Sequence, residues 1–90
     1  MTKRIKYTVH GEVQGVNFRS FTQSKASSYG LTGWVKNTSG GQVEGEAQGD
    51  DEGIQKLLKV LESGPPAASV TKVENSEMDT KEGESSYSTA

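Results

Sequence analysis

Gly11-Glu12-Val13-Gln14-Gly15-Val16-Asn17-Phe18-Arg19 decides how this 90-residue chain is read. Ahead of it, Ile5, Tyr7 and Val9 alternate with Lys6 and Thr8, the period of a half-buried strand expected from about Arg4 to Val9. Behind it, Phe18, Thr22, Ala26 and Tyr29 fall at spacings of four, four and three, one face of a helix expected from Ser20 to Tyr29. Gly30 is a natural left-handed stop for that helix. A glycine-punctuated turn between strand and helix offers backbone N–H groups that neither element uses. The helix dipole adds positive potential there, so the turn can hold an anion. Arg19 contributes a planar fork of donors suited to phosphate. The stretch reads as a phosphate cradle. Its bland alternative is a plain strand-to-helix turn with one solvated arginine, which a short glycine motif does not exclude.

The size of the chain predicts one domain over residues 1–90, with roughly 60–65% of the unfolded surface buried. Only 30% of the residues are hydrophobic, so each must be well placed. No apolar run approaches the roughly 20 residues that span a bilayer. Met1-Thr2-Lys3-Arg4 leads into alternating residues and not into an apolar signal region, so no secretory signal and a cytoplasmic location are expected. With no cysteine, disulfides, thiol catalysis and cysteine-ligated metals are excluded.

The net charge of -2 is unevenly spread. Residues 1–40 carry Lys3, Arg4, Lys6, Arg19, Lys25 and Lys36 against Glu12 alone, a charge of +5. Residues 41–90 carry four lysines against eleven acids, a charge of -7. A local anion site in the basic half suits this distribution better than general nucleic-acid binding.

Leu31 to Asn37 reads as a second strand. Thr38-Ser39-Gly40-Gly41 is a turn, and Gln42 to Gln48 alternates as a third strand, making an antiparallel hairpin. Small residues at Gly45 and Gly49 read as room for a closely packed helix. Ile54, Leu57, Leu58 and Leu61 form the clearest helical stripe, with Asp50 or Asp51 as its cap and Gly64-Pro65-Pro66 as its stop. Val70 to Met78 reads as a fourth strand. Tyr87-Ser88-Thr89-Ala90 either adds a short fifth edge strand or frays. Trp34 reads as a packing residue, Phe18 as a core anchor, and His10 as a strand-end residue without a chemical role.

The order is β-α-β-β-α-β, an α+β ferredoxin-like sandwich with an antiparallel-rich sheet and two helices on one face. The first two strands should be parallel, joined by a right-handed crossover, with the third between or beside them. Their C-terminal ends then share one edge of the sheet. That brings Asn37 to Arg19, where its amide can orient a water toward bound phosphate. The alternative for Asn37 is a turn residue that tolerates left-handed geometry.

Three linked motifs carry a resemblance. They are Gly11-x-Val13-Gln14-Gly15-Val16-x-Phe18-Arg19, Gly30-Leu31-x-Gly33-Trp34-Val35-x-Asn37, and Gly41-x-Val43-Glu44-Gly45-x-Ala47-Gln48-Gly49. In that order, with Ser63-Gly64-Pro65-Pro66-Ala67-Ala68-Ser69-Val70-Thr71-Lys72-Val73 after them, they resemble the acylphosphatase family over roughly residues 5–75. The resemblance implies a ferredoxin-like fold and metal-free hydrolysis of acyl phosphates by a monomer, with no cofactor, nucleic acid or membrane. It maps the phosphate-binding arginine onto Arg19 and the water-orienting asparagine onto Asn37. It maps the phosphate-binding loop onto Gln14, Gly15, Val16, Asn17 and Phe18, together with Arg19. The chain departs from the family at its end. There an aromatic–x–aliphatic–Arg–Tyr finish is replaced by Ser85-Ser86-Tyr87-Ser88-Thr89-Ala90, so the last strand is either shorter or paired differently.

Two rival classes stand beside this reading. A non-catalytic acyl-phosphate or anion-binding module would keep the cradle without turnover. An RNA-binding sheet would need exposed aromatics and a basic face, and neither motif is found.

Overall fold

The computed structural model describes residues 2–15 and 17–90. In chain order the elements are β1 (Thr2–Glu12), α1 (Phe18–Ser28), β2 (Thr32–Asn37), β3 (Val43–Asp50), α2 (Asp51–Ser63), β4 (Ser69–Met78) and β5 (Tyr87–Thr89). The sheet order is β4-β1-β3-β2-β5. β3 is antiparallel to both β1 and β2, which makes those two parallel to each other, and β4 is antiparallel to β1. This is the expected ferredoxin-like order with a fifth strand added. β5 pairs in parallel with β2, from Gly33↔Tyr87 to Val35↔Thr89.

Period-two alternation builds the core. Ile5, Tyr7 and Val9 of β1, Val35 of β2, and Val43 and Ala47 of β3 are buried, and so are Phe18, Thr22 and Ala26 of α1 and Ile54, Leu57 and Leu61 of α2. α1 packs on β2, α2 packs on β1 and β4, and the two helices touch, so both cover one face of the sheet. Fully burying one such aliphatic or aromatic side chain contributes about 1.5–3 kcal/mol. Leu58, expected in the core stripe, is only half-buried and packs at its margin.

Several local expectations are revised. β1 extends past Val9 because its pairing with β4 continues across a register shift at His10/Gly11, which places Gly11 and Glu12 in the strand and not in the turn. The small residues on β3 do not admit a helix. A side chain at Gly45 would meet the Tyr7 hydroxyl at 2.5 Å, and one at Gly49 would meet Leu31 at 2.5 Å, so those two side chains fill the space. Trp34 is outside the core. Alternation turns Gly33 and Val35 inward, leaving Trp34 half-buried on the opposite face with the Lys36 ammonium 5.5 Å from its ring centre. Asp50 occupies the N-cap position of α2 but makes no side-chain cap bond, and Asp51 pairs instead with Lys3 at 3.1 Å. Their charges still favour the positive end of the helix.

The helix-free face holds a buried ion cluster. Arg4 has 1% of its surface exposed. Its Nε donates to Glu46 at 2.8 Å and its Nη1 donates to Glu84 at 2.8 Å and to Gln48 at 3.2 Å. The Arg4 guanidinium holds the Glu84 carboxyl below its ordinary value of 4.5. The segment between β4 and β5 is thereby pinned over this face, helped by the Lys81 backbone, which both donates to and accepts from the Gln48 side chain.

Candidate active site

The turn between β1 and α1 opens into a cleft of about 430 Å³ lined by Gly15, Asn17, Phe18, Arg19, Asn37 and Thr89, with Val13, Ser20 and Gln23. The sheet explains why residues eighteen positions apart meet here. Arg19 lies in the first turn of α1, directly beyond the C-terminal end of β1. Asn37 is the last residue of the parallel strand β2, paired with Val43. Both side chains are exposed to the cleft.

Local backbone shape makes the cradle. Gly15 has φ +73°, the left-handed region that glycine enters without steric cost. Asn17 follows at φ 63°, ψ 28°, a conformation that asparagine tolerates better than most side chains. Asn17 then leads into α1 without a side-chain cap bond, and the first turn of α1 has no acidic residue. The first N–H groups of a helix have no partner within it. Among the described residues neither a capping side chain nor a first-turn carboxylate meets them, which favours an anion at the positive end of the dipole.

Of the six residues expected to form the phosphate loop, Gly15, Asn17, Phe18 and Arg19 line the cleft. Val16 lies outside the described residues. Gln14 has a different use for its side chain. Its Nε2 donates to the carbonyls of Thr38 at 2.7 Å and Gln42 at 2.9 Å, tying the phosphate turn to the loop that follows Asn37. Thr38 closes that loop from within, its Oγ1 accepting from the backbone N–H of Gln42 at 3.1 Å and of Gly40 at 3.3 Å. Phe18 is 2% exposed and forms the floor, in agreement with its reading as a core anchor. His10 stays out of the cleft, where its ring bonds Glu74 at 2.5 Å and Gln42 at 2.9 Å.

Of the two expectations for the C-terminal segment, a short edge strand or fraying, the strand forms, and it reaches the cleft. β5 is only three residues long and hangs on one aromatic. The Tyr87 hydroxyl donates to the Trp34 carbonyl at 3.1 Å and lies 2.6 Å from the Tyr7 hydroxyl. Burial raises both phenols well above their ordinary value, so both are protonated donors at neutral pH. Gln23 holds the Tyr87 carbonyl at 3.2 Å. Running parallel to β2, the strand ends at the same edge as Asn37. Thr89 therefore lines the cleft, and the Ala90 carbonyl accepts from Arg19 Nη1 at 3.2 Å.

Among the described residues, no group of three or more His, Asp or Glu side chains is placed to hold a metal ion. The cleft offers backbone N–H groups, the Arg19 guanidinium and the carboxamides of Asn17, Gln23 and Asn37, the equipment of an anion site on a ferredoxin-like frame.

The chain belongs to the acylphosphatase family, which it matches over residues 5–89. It is 46% identical to the acylphosphatase of Acaryochloris marina over 70 residues, covering 78% of this chain and 75% of that one. Among solved structures it is similar to an acylphosphatase from Coxiella burnetii, with TM-score 0.94, 40% identity, and 99% and 93% of the two chains covered. It is similar also to acylphosphatase from Bacillus subtilis, with TM-score 0.93, 36% identity, and 100% and 99% covered. The chain is thus an enzyme of the hydrolase class that acts on acyl phosphates.

Proposed function

We propose that Arg19 and the Gln14–Phe18 turn bind the phosphoryl group of an acyl phosphate while Asn37 orients the attacking water. Water adds to phosphorus, the bond from phosphorus to the acyl oxygen breaks, and the products are a carboxylate and inorganic phosphate. A carboxylate leaves readily without a proton donor. The protein's task is therefore positioning and stabilisation of charge on the three phosphoryl oxygens, as in other phosphoryl transfers. The Arg19 fork, whose Nη1 also donates to the Ala90 carbonyl, and the turn's N–H groups supply the donors that such charge calls for. The Asn37 amide both donates and accepts, which suits it to holding a water against bound phosphate. The reaction needs no cofactor, and we assign it to a cytoplasmic monomer of one domain.

The observation that carries this reading is that Arg19 and Asn37 line one cleft with the glycine turn, at a helix start free of acidic residues. The test is release of inorganic phosphate from acetyl phosphate, with and without a chelator. Turnover should persist in chelator. Added inorganic phosphate should compete with substrate and raise the unfolding temperature, because a ligand specific to the folded state stabilises it by mass action. Phosphate binding without turnover would return the chain to the anion-binding alternative. Activity lost in chelator and restored by a divalent ion would overturn the metal-free mechanism.

A further inference from the structure

The two halves of the candidate site hang from strands whose shared ladder has already ended. The register of β1 with β3 runs from Thr2↔Asp50 to Val9↔Val43. Past that point β1 continues along β4, through Gly11↔Val70 and Glu12↔Ser69, and leads into the Gly15 turn. On the other side, Gln42 closes the loop that begins at Thr38, directly after Asn37. The Gln42 carbonyl accepts from the Thr38 N–H at 2.8 Å, and the Gln42 N–H donates to Thr38 Oγ1 at 3.1 Å. With the ladder ended, side chains must hold turn and loop together. Gln14 makes one such tie. A second lies at the first position past the ladder, where Gln42 Nε2 is 2.9 Å from His10 Nδ1. Both side chains are half-buried.

The far side of the ring fixes the sense of that contact. His10 Nε2 lies 2.5 Å from Glu74 Oε1, on β4. The Glu74 carboxyl is held below its ordinary value of 4.5, first by this hydrogen bond and then by the Lys72 ammonium 3.5 Å away. A carboxylate only accepts, so His10 Nε2 carries a proton, and the neutral ring presents Nδ1 as an acceptor for the Gln42 amide. An imidazolium keeps the bond after a half-turn of the amide, which brings Oε1 to Nδ1–H. The tie therefore holds in either charge state.

We infer that His10 and Gln42 are positioning residues for Asn37, their side-chain bond holding the loop after Asn37 against the strand that leads into the Gly15 turn. This rests on the water-orienting reading above and extends it to a histidine that stays out of the cleft. His10 does no chemistry on the substrate. It passes the rigidity of β4, through Glu74, to Gln42, and the Gln42 backbone passes it to Thr38 and so to Asn37.

The test cuts the bond from each end. His10→Phe keeps a ring and Gln42→Met keeps the length of the side chain, and both leave the backbone bonds of Gln42 in place. Each variant is measured for acetyl phosphate turnover, for phosphate affinity by calorimetry and for thermal unfolding. In each, kcat should fall by roughly two- to tenfold, the factor one net hydrogen bond contributes to the population of the aligned loop, with phosphate affinity within about twofold of the wild type. The double variant should be no slower than the slower single one, because both substitutions remove the same contact. A lowered unfolding temperature with kcat unchanged in both single variants would make the pair a tie without a positioning role. Phosphate affinity falling as far as kcat would overturn the inference too, since the pair would then act on the phosphate turn. Losses that multiply in the double variant would show that the two side chains act separately, with the same consequence. Asn37→Ala, measured alongside, keeps the two readings apart. If it loses kcat while the His10 and Gln42 variants do not, this inference alone fails. If it turns over normally, the water-orienting reading fails and takes this inference with it.

Discussion

Replacing Gln14 with Leu should uncouple the Gly15 turn from the loop that follows Asn37, and under the proposed roles that should slow turnover. The Gln14 side chain gives two hydrogen bonds, to the Thr38 and Gln42 carbonyls at 2.7 and 2.9 Å. At a net 0.5–1.5 kcal/mol each, their loss costs about 2 kcal/mol. The loss should not be much larger, because each carbonyl keeps a second partner. The Gln42 carbonyl accepts from the Thr38 N–H at 2.8 Å, and the Thr38 carbonyl from the Gly41 N–H at 3.4 Å. For a domain of this size, about 2 kcal/mol lowers the unfolding temperature by roughly 8–16 °C. The catalytic effect follows from position. Asn37 immediately precedes Thr38, so a loosened Thr38 carbonyl lets the amide drift from the bound phosphate. A misplacement of about 1 Å can cost roughly 100-fold, so kcat should fall by about 10- to 100-fold, with phosphate affinity changed far less. The assay is acetyl phosphate turnover alongside thermal unfolding and phosphate titration by calorimetry. A variant destabilised by the expected amount but turning over at the wild-type rate would show that the brace holds the loop without positioning Asn37. A variant unchanged in both would refute the brace itself.

Arg19→Ala should cost about 100- to 1,000-fold in rate and weaken phosphate binding with it. Arg19→Lys should recover little, since an ammonium cannot reproduce the paired contacts of the guanidinium, and a lysine variant with most of the wild-type rate would mean that only charge matters. Glu84 predicts a pH effect. Its carboxyl is held below 4.5 by Arg4, so the pair's stabilisation is complete at neutral pH and is lost as the pH falls below about 4.5 through the folded-state value. Unfolding temperature measured from pH 7 to pH 3 should therefore drop less steeply in Glu84→Gln than in the wild type, and parallel slopes would show that this pair is not a stabilising contact.

The order of elements and the meeting of Arg19 with Asn37 were legible in the sequence because both follow from local pattern. Alternation at Ile5, Tyr7 and Val9 and the stripe from Ile54 to Leu61 are short-range signals. Two parallel strands bring their C-terminal ends together whatever the side chains are. What escaped depends on long-range side-chain partners. Arg4 shares neither parity nor polarity with the core, and it is buried only because Glu46, Gln48 and Glu84, as many as 80 positions away, close around it. Gln14 carries a motif letter but gives no sign that its side chain crosses to Thr38 and Gln42. The outward turn of Trp34 follows from its place between Gly33 and Val35, and as a packing residue it packs with Lys36 on the helix-free face. The tail departs from the family pattern, which hides its strand. Tyr87, its one aromatic, was the signal that a strand could still be anchored there and carry Thr89 and the Ala90 carbonyl to the cleft.

The proposed roles meet their most direct test in Asn37→Ala, with kcat for acetyl phosphate and phosphate affinity measured on the same folded protein. Asn37 is exposed at a strand end, so the fold should survive, as circular dichroism will report. If the amide holds the attacking water and the phosphate is held by Arg19 and the turn, kcat and kcat/KM should fall together, the pattern of an interaction made only in the transition state. Phosphate affinity should stay within a few-fold of the wild type. A folded variant that turns over acetyl phosphate at a near-normal rate would contradict the water-orienting role.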